Sequence, residues 1–546
     1  MRSLSSLSSL GVLLLLIVAA TTLIAPFLLQ LLGRALGWYI RNRTHDRRAA
    51  LVSRVRAEED SYAAKVFAGE TDDEDDWERV ESYAAASADN GTPAEKDWEG
   101  IVAFFHPFCN AGGGGERVLW AAIRATQHRW SKAICVVYTG DHDADKGTIL
   151  SRVKNRFNIS LHSPTVVFLY LSTRHYVLSS TYPYFTLLGQ SLGSLVLAYD
   201  AFTLLVPDIF VDTMGYAFTN AFSQFLFPLV PTGAYVHYPT ISTDMLSSLY
   251  ESGQGLNAGK GAGWKGAAKL RYWRLFARLY GWVGGHVDVV MTNSSWTQAH
   301  IQSLWGTSRR RRGKKWDVEV VFPPVAVAEL EQQVEVSIES EKRREKIILC
   351  IAQFRPEKNH ALILRAFSSL VQSVKSSGGA QVPRLVLIGS VRHSDDATRV
   401  YDLRLLAYEL KVKEHVEFIC DASWEEILQW LRRSTVGVNG MWNEHFGIGV
   451  VEYQAAGLLS VVHDSGGPKE DIVVECNGGP TGYHATTVED FAVAFTRALS
   501  LPAEEVMAMR QRARASAQRF TEEAFAKRWL VHMERLVQLQ IDSNQP

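Results

Sequence analysis

No two of the five cysteines, Cys109, Cys135, Cys350, Cys420 and Cys476, stand close enough to make a Cys-x-x-Cys unit. That spacing excludes the common zinc and dithiol motifs. An odd, scattered set within apolar runs predicts buried thiols in a reducing compartment. An excess of charge of one sign is also missing. Lysine and arginine number 57 and aspartate and glutamate 58, a net charge of −1. No global field therefore points to nucleic acid, and no nucleic-acid partner is expected. Apolar side chains are plentiful instead, at 47% of 546 residues, with 11% aromatic. That is enough for more than one large core, and it excludes a disordered or fibrous chain.

Residues 10–32 are almost continuously apolar, interrupted mainly by Thr21, Thr22, Pro26 and Gln30. At about 1.5 Å rise per residue, such a run crosses a hydrocarbon core of about 30 Å. It is longer than the apolar part of a cleaved signal peptide. Arg34, Arg41, Arg43, Arg47 and Arg48 follow it, against Arg2 before it. The positive-inside rule predicts a single-pass anchor with the body in the cytosol. The sequons at Asn42, Asn90, Asn158 and Asn293 are then expected to stay unmodified. Residues 51–99 are polar and acidic around Asp72-Asp73-Glu74-Asp75-Asp76 and read as a solvated linker.

From Gly100 onward, short apolar strands alternate with helical patterns. Residues 101–105 form a strand, a glycine-rich turn follows, and 116–130 form a helix. Further strands fall at 133–138, 287–291 and 318–322. A second apolar zone, 165–230, is broken by Pro183, Asp200, Pro207, Asp208 and Asp212. It reads either as domain core or as a surface dipping into a bilayer interface. Residues 326–345 are charged and carry little strand signal. A second alternation then begins, with strands at 347–352, 385–389, 416–419, 436–439 and 459–463. The expected organisation is an anchor and basic flank (1–48) and an acidic linker (49–99). A first Rossmann-like domain (100–325) and an interdomain linker (326–345) follow. A second Rossmann-like domain (346–520) and a returning helix (521–546) complete it. The fold class is α/β, two doubly wound domains facing a cleft, where ligands bind at strand carboxyl ends.

Three constellations converge on that cleft. The first is His106-Pro107-Phe108-Cys109-Asn110-Ala111-Gly112-Gly113-Gly114-Gly115-Glu116. Gly112, Gly113, Gly114, Gly115 and Glu116 form a candidate phosphate or acceptor loop, because glycines admit close backbone approach and helix amides attract anions. No Lys-Ser/Thr follows, so it is not a P-loop. The second is Gln353-Phe354-Arg355-Pro356-Glu357-Lys358-Asn359-His360, with Arg355 and Lys358 placed to meet a diphosphate. The third runs from Asn443 to Glu452. The amides of Gly447, Ile448 and Gly449 open a helix toward a diphosphate. Glu444 is expected to bind sugar hydroxyls, Phe446 to line the donor site and Glu452 to reach a ribose. Asp141-His142-Asp143 reads as a turn, so no metal or other cofactor is expected.

Glu444-x7-Glu452, the Pro-Glu-Lys of 356–358 and Ser465-Gly466-Gly467-Pro468 together resemble retaining glycosyltransferase family four. The resemblance covers residues 101–539 and implies the two-domain GT-B fold. Longer blocks are similar to its eukaryotic GDP-mannose-dependent α-1,2-mannosyltransferases of dolichol-linked oligosaccharide synthesis. These are residues 105–120, Tyr235-Val236-His237-Tyr238-Pro239 and 353–360. That resemblance implies GDP-mannose as donor and a dolichol-diphosphate oligosaccharide as acceptor. It also implies addition of the fourth and fifth mannoses at the cytosolic face of the endoplasmic reticulum. Other mannosyltransferases of the pathway are candidate partners. It implies a catalytic pair, His237 and Glu444, and retention of anomeric configuration. Many members carry an arginine five residues before the lysine of the second loop; here that position is Gln353. The alternatives are another lipid-linked glycosyltransferase, or a non-catalytic scaffold that binds nucleotide sugar.

Overall fold

The computed structural model describes residues 2–67, 98–249, 263–314, 318–378 and 381–545, with side chains from residue 24 onward. The acidic run at 72–76 and most of the apolar run at 10–32 lie outside the described side chains.

Two wholly parallel sheets organise the chain. The first holds β1 (Ile101–Phe105), β2 (Ile134–Thr139), β3 (Val166–Tyr170), β4 (Ile209–Asp212), β5 (Thr232–Val236), β6 (Val289–Thr292) and β7 (Glu319–Val320). Its order is β3-β2-β1-β4-β5-β6-β7. The second holds β8 (Glu345–Ile351), β9 (Arg384–Gly389), β10 (Val416–Cys420), β11 (Ser434–Asn439), β12 (Leu459–His463) and β13 (Gly482–Ala485), in the order β10-β9-β8-β11-β12-β13. Strands such as Ile-Val-Ala-Phe-Phe in β1 are buried at every position, as a sheet covered on both faces requires. In each sheet the order reverses once, between β1 and β4 and between β8 and β11. A doubly wound sheet opens a binding crevice at that point.

The first helix, Arg2–Phe67, runs unbroken past residue 48. This corrects the expected linker at its start, because residues 49–67 are helical and packed. Arg48 pairs with Asp208 at 2.7 Å, and Lys146 pairs with Glu58 at 3.0 Å. The span 326–345 is likewise no loose linker. It forms the short helices Val327–Gln333 and Ile338–Glu341, and Val327, Leu330 and Val334 enter the second core. Their apolar spacing was hidden among charged neighbours. The zone 165–230 contains β3, β4 and the helices Thr186–Leu204 and Ala217–Leu226. The inner faces of these helices pack against the first sheet.

The last helix, Glu522–Asn544, lies against the first sheet. Phe525, Trp529, Met533, Leu536 and Val537 complete that core. Burying each contributes about 1.5–3 kcal/mol. Glu522, in its first turn, pairs with both Arg117 and Arg124 of the helix Gly114–Arg129. All five cysteines are free thiols. Cys109, Cys135 and Cys350 are buried, but Cys420 is exposed at the end of β10 and Cys476 is half-buried in a turn. The expectation of a wholly buried set fails at those two.

Candidate active site in the interdomain cleft

The loops after β1, β5 and β6 in the first domain meet those after β11 and β12 in the second. Gly114 lies against Ile448, since a methyl group there would come within 2.5 Å of Ile448 Cδ1. The glycine loop and the helix Ile448–Ala455 are thus in direct contact.

Lys358 ends a short 3-10 turn (Pro356–Lys358), after which Asn359 reverses the chain with φ 52°. Its ammonium forms an ion pair with the carboxylate of Glu444. Asn439 Nδ2 donates to the same Glu444 oxygen at 3.3 Å. Burial alone would raise the Glu444 pKa, but the Lys358 charge and hydrogen bond outweigh it and hold the carboxyl below its usual range. Glu444 is therefore ionised, an acceptor for hydroxyls. The turn after β12 braces it from behind. Gly467 N–H donates to the Glu444 carbonyl at 2.8 Å, and Asn443 N–H donates to Ser465 Oγ at 2.8 Å. Gly466 has φ +67°, and a Cβ there would stand 2.3 Å from the Glu444 carbonyl oxygen, so only glycine fits.

Gly447, at φ +108°, opens the helix Ile448–Ala455. Val450 and Val451 already bond back to the Gly447 carbonyl. The Ile448 and Gly449 amides belong to the first turn, which has no intrahelical acceptors. Gly449 also leaves room beside the β8 carboxyl end, a Cβ there standing 3.7 Å from the Ile351 carbonyl. Glu452, one turn on, is desolvated, which pushes its carboxyl up to about 7 even with Arg117 of the first domain offsetting part of the rise.

Three expected positions are corrected. Phe446 is buried and packs on Phe322 at 5.8 Å and Phe520 at 5.4 Å, so its ring is core and does not line the donor site. Arg355 is exposed, and among the described residues it makes no ion pair; its charge is felt by Asp396, in the first turn of the helix Ser394–Glu409. Glu116 turns back to accept the Gly113 N–H at 2.5 Å. Its carboxylate already occupies the start of the helix Gly114–Arg129, which weakens any claim of that N-terminus on a phosphate. Gly112, at φ +72°, lies beside Arg156, whereas Gly115 lies beside His237, a Cβ there standing 3.7 Å from its Nε2.

His237 follows β5. Its Nε2 is 3.1 Å from the Thr213 carbonyl, which can only accept, so that nitrogen carries the proton and Nδ1 is the free acceptor. Burial pulls its pKa down to about 4, so the ring is neutral at physiological pH. Behind it, the fully buried His106 binds Thr213 Oγ1 through Nδ1 at 2.8 Å.

Sequence patterning did not single out the seam around these groups. His445 stacks on Tyr238 at 4.1 Å and on Trp296 at 5.4 Å, joining the two domains. Asn443 Nδ2 donates to Asp244 Oδ2 at 2.6 Å, and Asp471 caps the helix Ser295–Arg311 by accepting the Ser295 N–H at 2.9 Å. Each partner lies in a different domain, so no local pattern marks them. Asp141 bonds to Arg174, to the Asn110 N–H and to Thr139, as a turn brace. Among the described residues no cluster of three or more His, Cys, Asp or Glu could hold a metal.

Residues 99–305 match the family model "ALG11 mannosyltransferase N-terminus", and residues 332–516 match "Glycosyl transferases group 1". A relative from Neurospora crassa, named GDP-Man:Man(3)GlcNAc(2)-PP-Dol alpha-1,2-mannosyltransferase, is 62% identical over 530 residues, covering 94% of each chain. Relatives of that name from Mus musculus and Homo sapiens are 45% and 44% identical, each covering 80% of this chain and 87% of their own. Among solved structures, Anabaena Alr3699/HepE with UDP and glucose aligns with a TM-score of 0.52 at 13% identity, over 80% of this chain and all of its own. The trehalose 6-phosphate synthase of Burkholderia multivorans aligns at 0.54 and 14% identity, over 80% and 99%. These likenesses establish the two-domain glycosyltransferase fold.

Proposed function

Because the chain belongs to the ALG11 mannosyltransferase family, we propose that its cleft transfers mannose from GDP-mannose to a Man(3)GlcNAc(2)-diphosphodolichol acceptor in α-1,2 linkage. The chain is a glycosyltransferase of the GT-B fold. The observation that carries the site is the Lys358–Glu444 pair, whose carboxylate stands on the loop that leads into the helix opening at Gly447. An acceptor already bearing three mannoses makes this the fourth; the fifth is a further step by the same chemistry.

The donor diphosphate lies against Lys358 and the Ile448 and Gly449 amides, which neutralise charge as GDP departs. Glu444 accepts hydrogen bonds from the mannose hydroxyls, and Glu452 reaches the ribose. His237, neutral and with Nδ1 unprotonated, faces the reacting sugar as a hydrogen-bond acceptor. The buried His106–Thr213 contact fixes the backbone that holds its ring. Retention by same-face displacement fits the assignment of both Glu444 and Glu452 to hydroxyls, which leaves neither as a nucleophile. No divalent metal is needed, because Lys358 and the amides supply the positive charge.

The lipid-linked acceptor implies a membrane enzyme, with its body on the cytosolic side of the endoplasmic reticulum and residues 10–32 as anchor. Among the described residues, one helix is long and apolar enough to cross a membrane, Thr186–Leu204. Its buried Leu197, Ala198, Ala201 and Phe202 mark it as a domain helix. Purified protein with labelled GDP-mannose or UDP-sugars and a dolichol-diphosphate glycan tests the reading. Transfer from GDP-mannose alone is expected; transfer from a UDP-sugar, or donor binding without transfer, overturns it.

A further inference from the structure

The helix Gly263–Gly284 buries Trp273, Phe276, Ala277, Tyr280 and Val283 in the first domain. Its opposite face is unlike the surface of a soluble enzyme. Trp264, Leu275 and Trp282 are 78%, 65% and 55% exposed. Between them stand the exposed Arg271 and Arg278, so positions 264, 271, 275, 278 and 282 form one stripe at helical spacing. Lys265 lies over the Trp264 ring at 5.6 Å, and Arg312, from the end of the neighbouring helix Ser295–Arg311, lies over Trp282 at 5.6 Å. The 22 residues contain no Asp or Glu. A soluble surface mixes both charges; this one mixes cations with indoles, which suits a headgroup layer where apolar rings and phosphates meet.

The stripe also adjoins other exposed apolar groups. Phe185, 64% exposed, packs edge-on against Tyr272 of this helix at 5.1 Å. Leu192, Val196 and Tyr199 then line the outer face of the helix Thr186–Leu204 at one-turn intervals. The helix Ala217–Leu226 packs on both of these helices and on the first helix, whose Gly33 and Gly37 give close approach to Phe225 and Leu226.

We propose that the outer face of the helix Gly263–Gly284 is a seat on an anionic bilayer surface. Trp264, Leu275 and Trp282 enter the boundary between headgroups and acyl chains, while Lys265, Arg271 and Arg278 meet lipid phosphates. The seat stands on surface chemistry and does not depend on which sugar is transferred.

The test uses the full chain carrying Leu275→Cys, with Cys420→Ser and Cys476→Ser to remove the accessible thiols. An environment-sensitive fluorophore on the introduced thiol is read in vesicles of phosphatidylcholine with and without phosphatidylserine. The expected result is a blue shift and quenching by brominated acyl chains that appear with phosphatidylserine and weaken at high salt. Arg271→Glu with Arg278→Glu should abolish both while the protein stays vesicle-bound and its thermal transition is unchanged. An emission that ignores phosphatidylserine, or is unquenched in every vesicle, overturns the proposal. A shift that follows protein concentration instead of lipid charge assigns the face to a second copy and overturns it too. Since the readout is fluorescence, failure of the transfer assay leaves it standing, and the reverse.

Discussion

Lys358 and Glu444, 86 residues apart in the chain, form an ion pair at the carboxyl ends of adjacent strands β8 and β11. The pair keeps a desolvated carboxylate ionised and a cation fixed beside the helix that opens at Gly447.

Removing one partner leaves the other charge uncompensated. Lys358→Ala should therefore raise the donor KM and lower kcat, with kcat/KM down about 10²–10³-fold. Glu444→Gln should lose most of kcat with a smaller effect on GDP affinity. Steady-state kinetics with GDP inhibition separates the two, and near-normal kinetics in Lys358→Ala would remove it from the site.

Phe446→Ala is expected to act as a core truncation. Its ring lies among Phe322 and Phe520, so stability should fall by about 3–5 kcal/mol in urea unfolding. The donor KM of the remaining folded fraction should be nearly unchanged. A stable variant with a greatly raised KM would return Phe446 to the donor site.

Glu452 carries a pH signature. Its folded pKa is raised to about 7 from 4.5 by burial, so the folded chain holds a proton that the unfolded chain releases. Stability from this group is present at low pH and lost as pH rises from 4.5 through 7. Glu452→Gln should stabilise the protein by about 1–3 kcal/mol at about pH 8 and by nothing at about pH 4. Donor affinity should fall in the same variant. Thermal denaturation at the two pH values checks the first statement, and donor titration the second.

Transfer should persist in EDTA at the untreated rate, because Lys358 and the helix amides take the role a metal has elsewhere. Loss in EDTA that manganese restores would refute this.

The stack of His445 on Tyr238 is a direct contact between the two domains. Tyr238→Ala and His445→Ala should each weaken donor binding. A double-mutant cycle should show coupling of about 1 kcal/mol. Strict additivity would mean the contact carries no energy.

Much of this molecule was legible from the chain. Strand-and-helix alternation exposed two doubly wound sheets, because strands covered on both faces read as unbroken apolar runs. Gly447 was readable as a helix start and Gly466 as part of a Ser-Gly-Gly-Pro turn, and both take a positive φ that disfavours a side chain. Lys358 and Glu444 were readable because each sits where a strand ends, and strand ends converge by topology. The tertiary structure decided the rest. It buried Phe446 in the core and left Arg355 exposed, since a loop's direction depends on what packs beneath it. It turned Glu116 onto its own helix and filled 326–345 with packed helices. It also assembled the Tyr238–Trp296–His445 seam from segments far apart in the chain. Local periodicity reports which face of an element is buried. It does not report which partner covers that face, and in a two-domain enzyme the cleft is made of such partners.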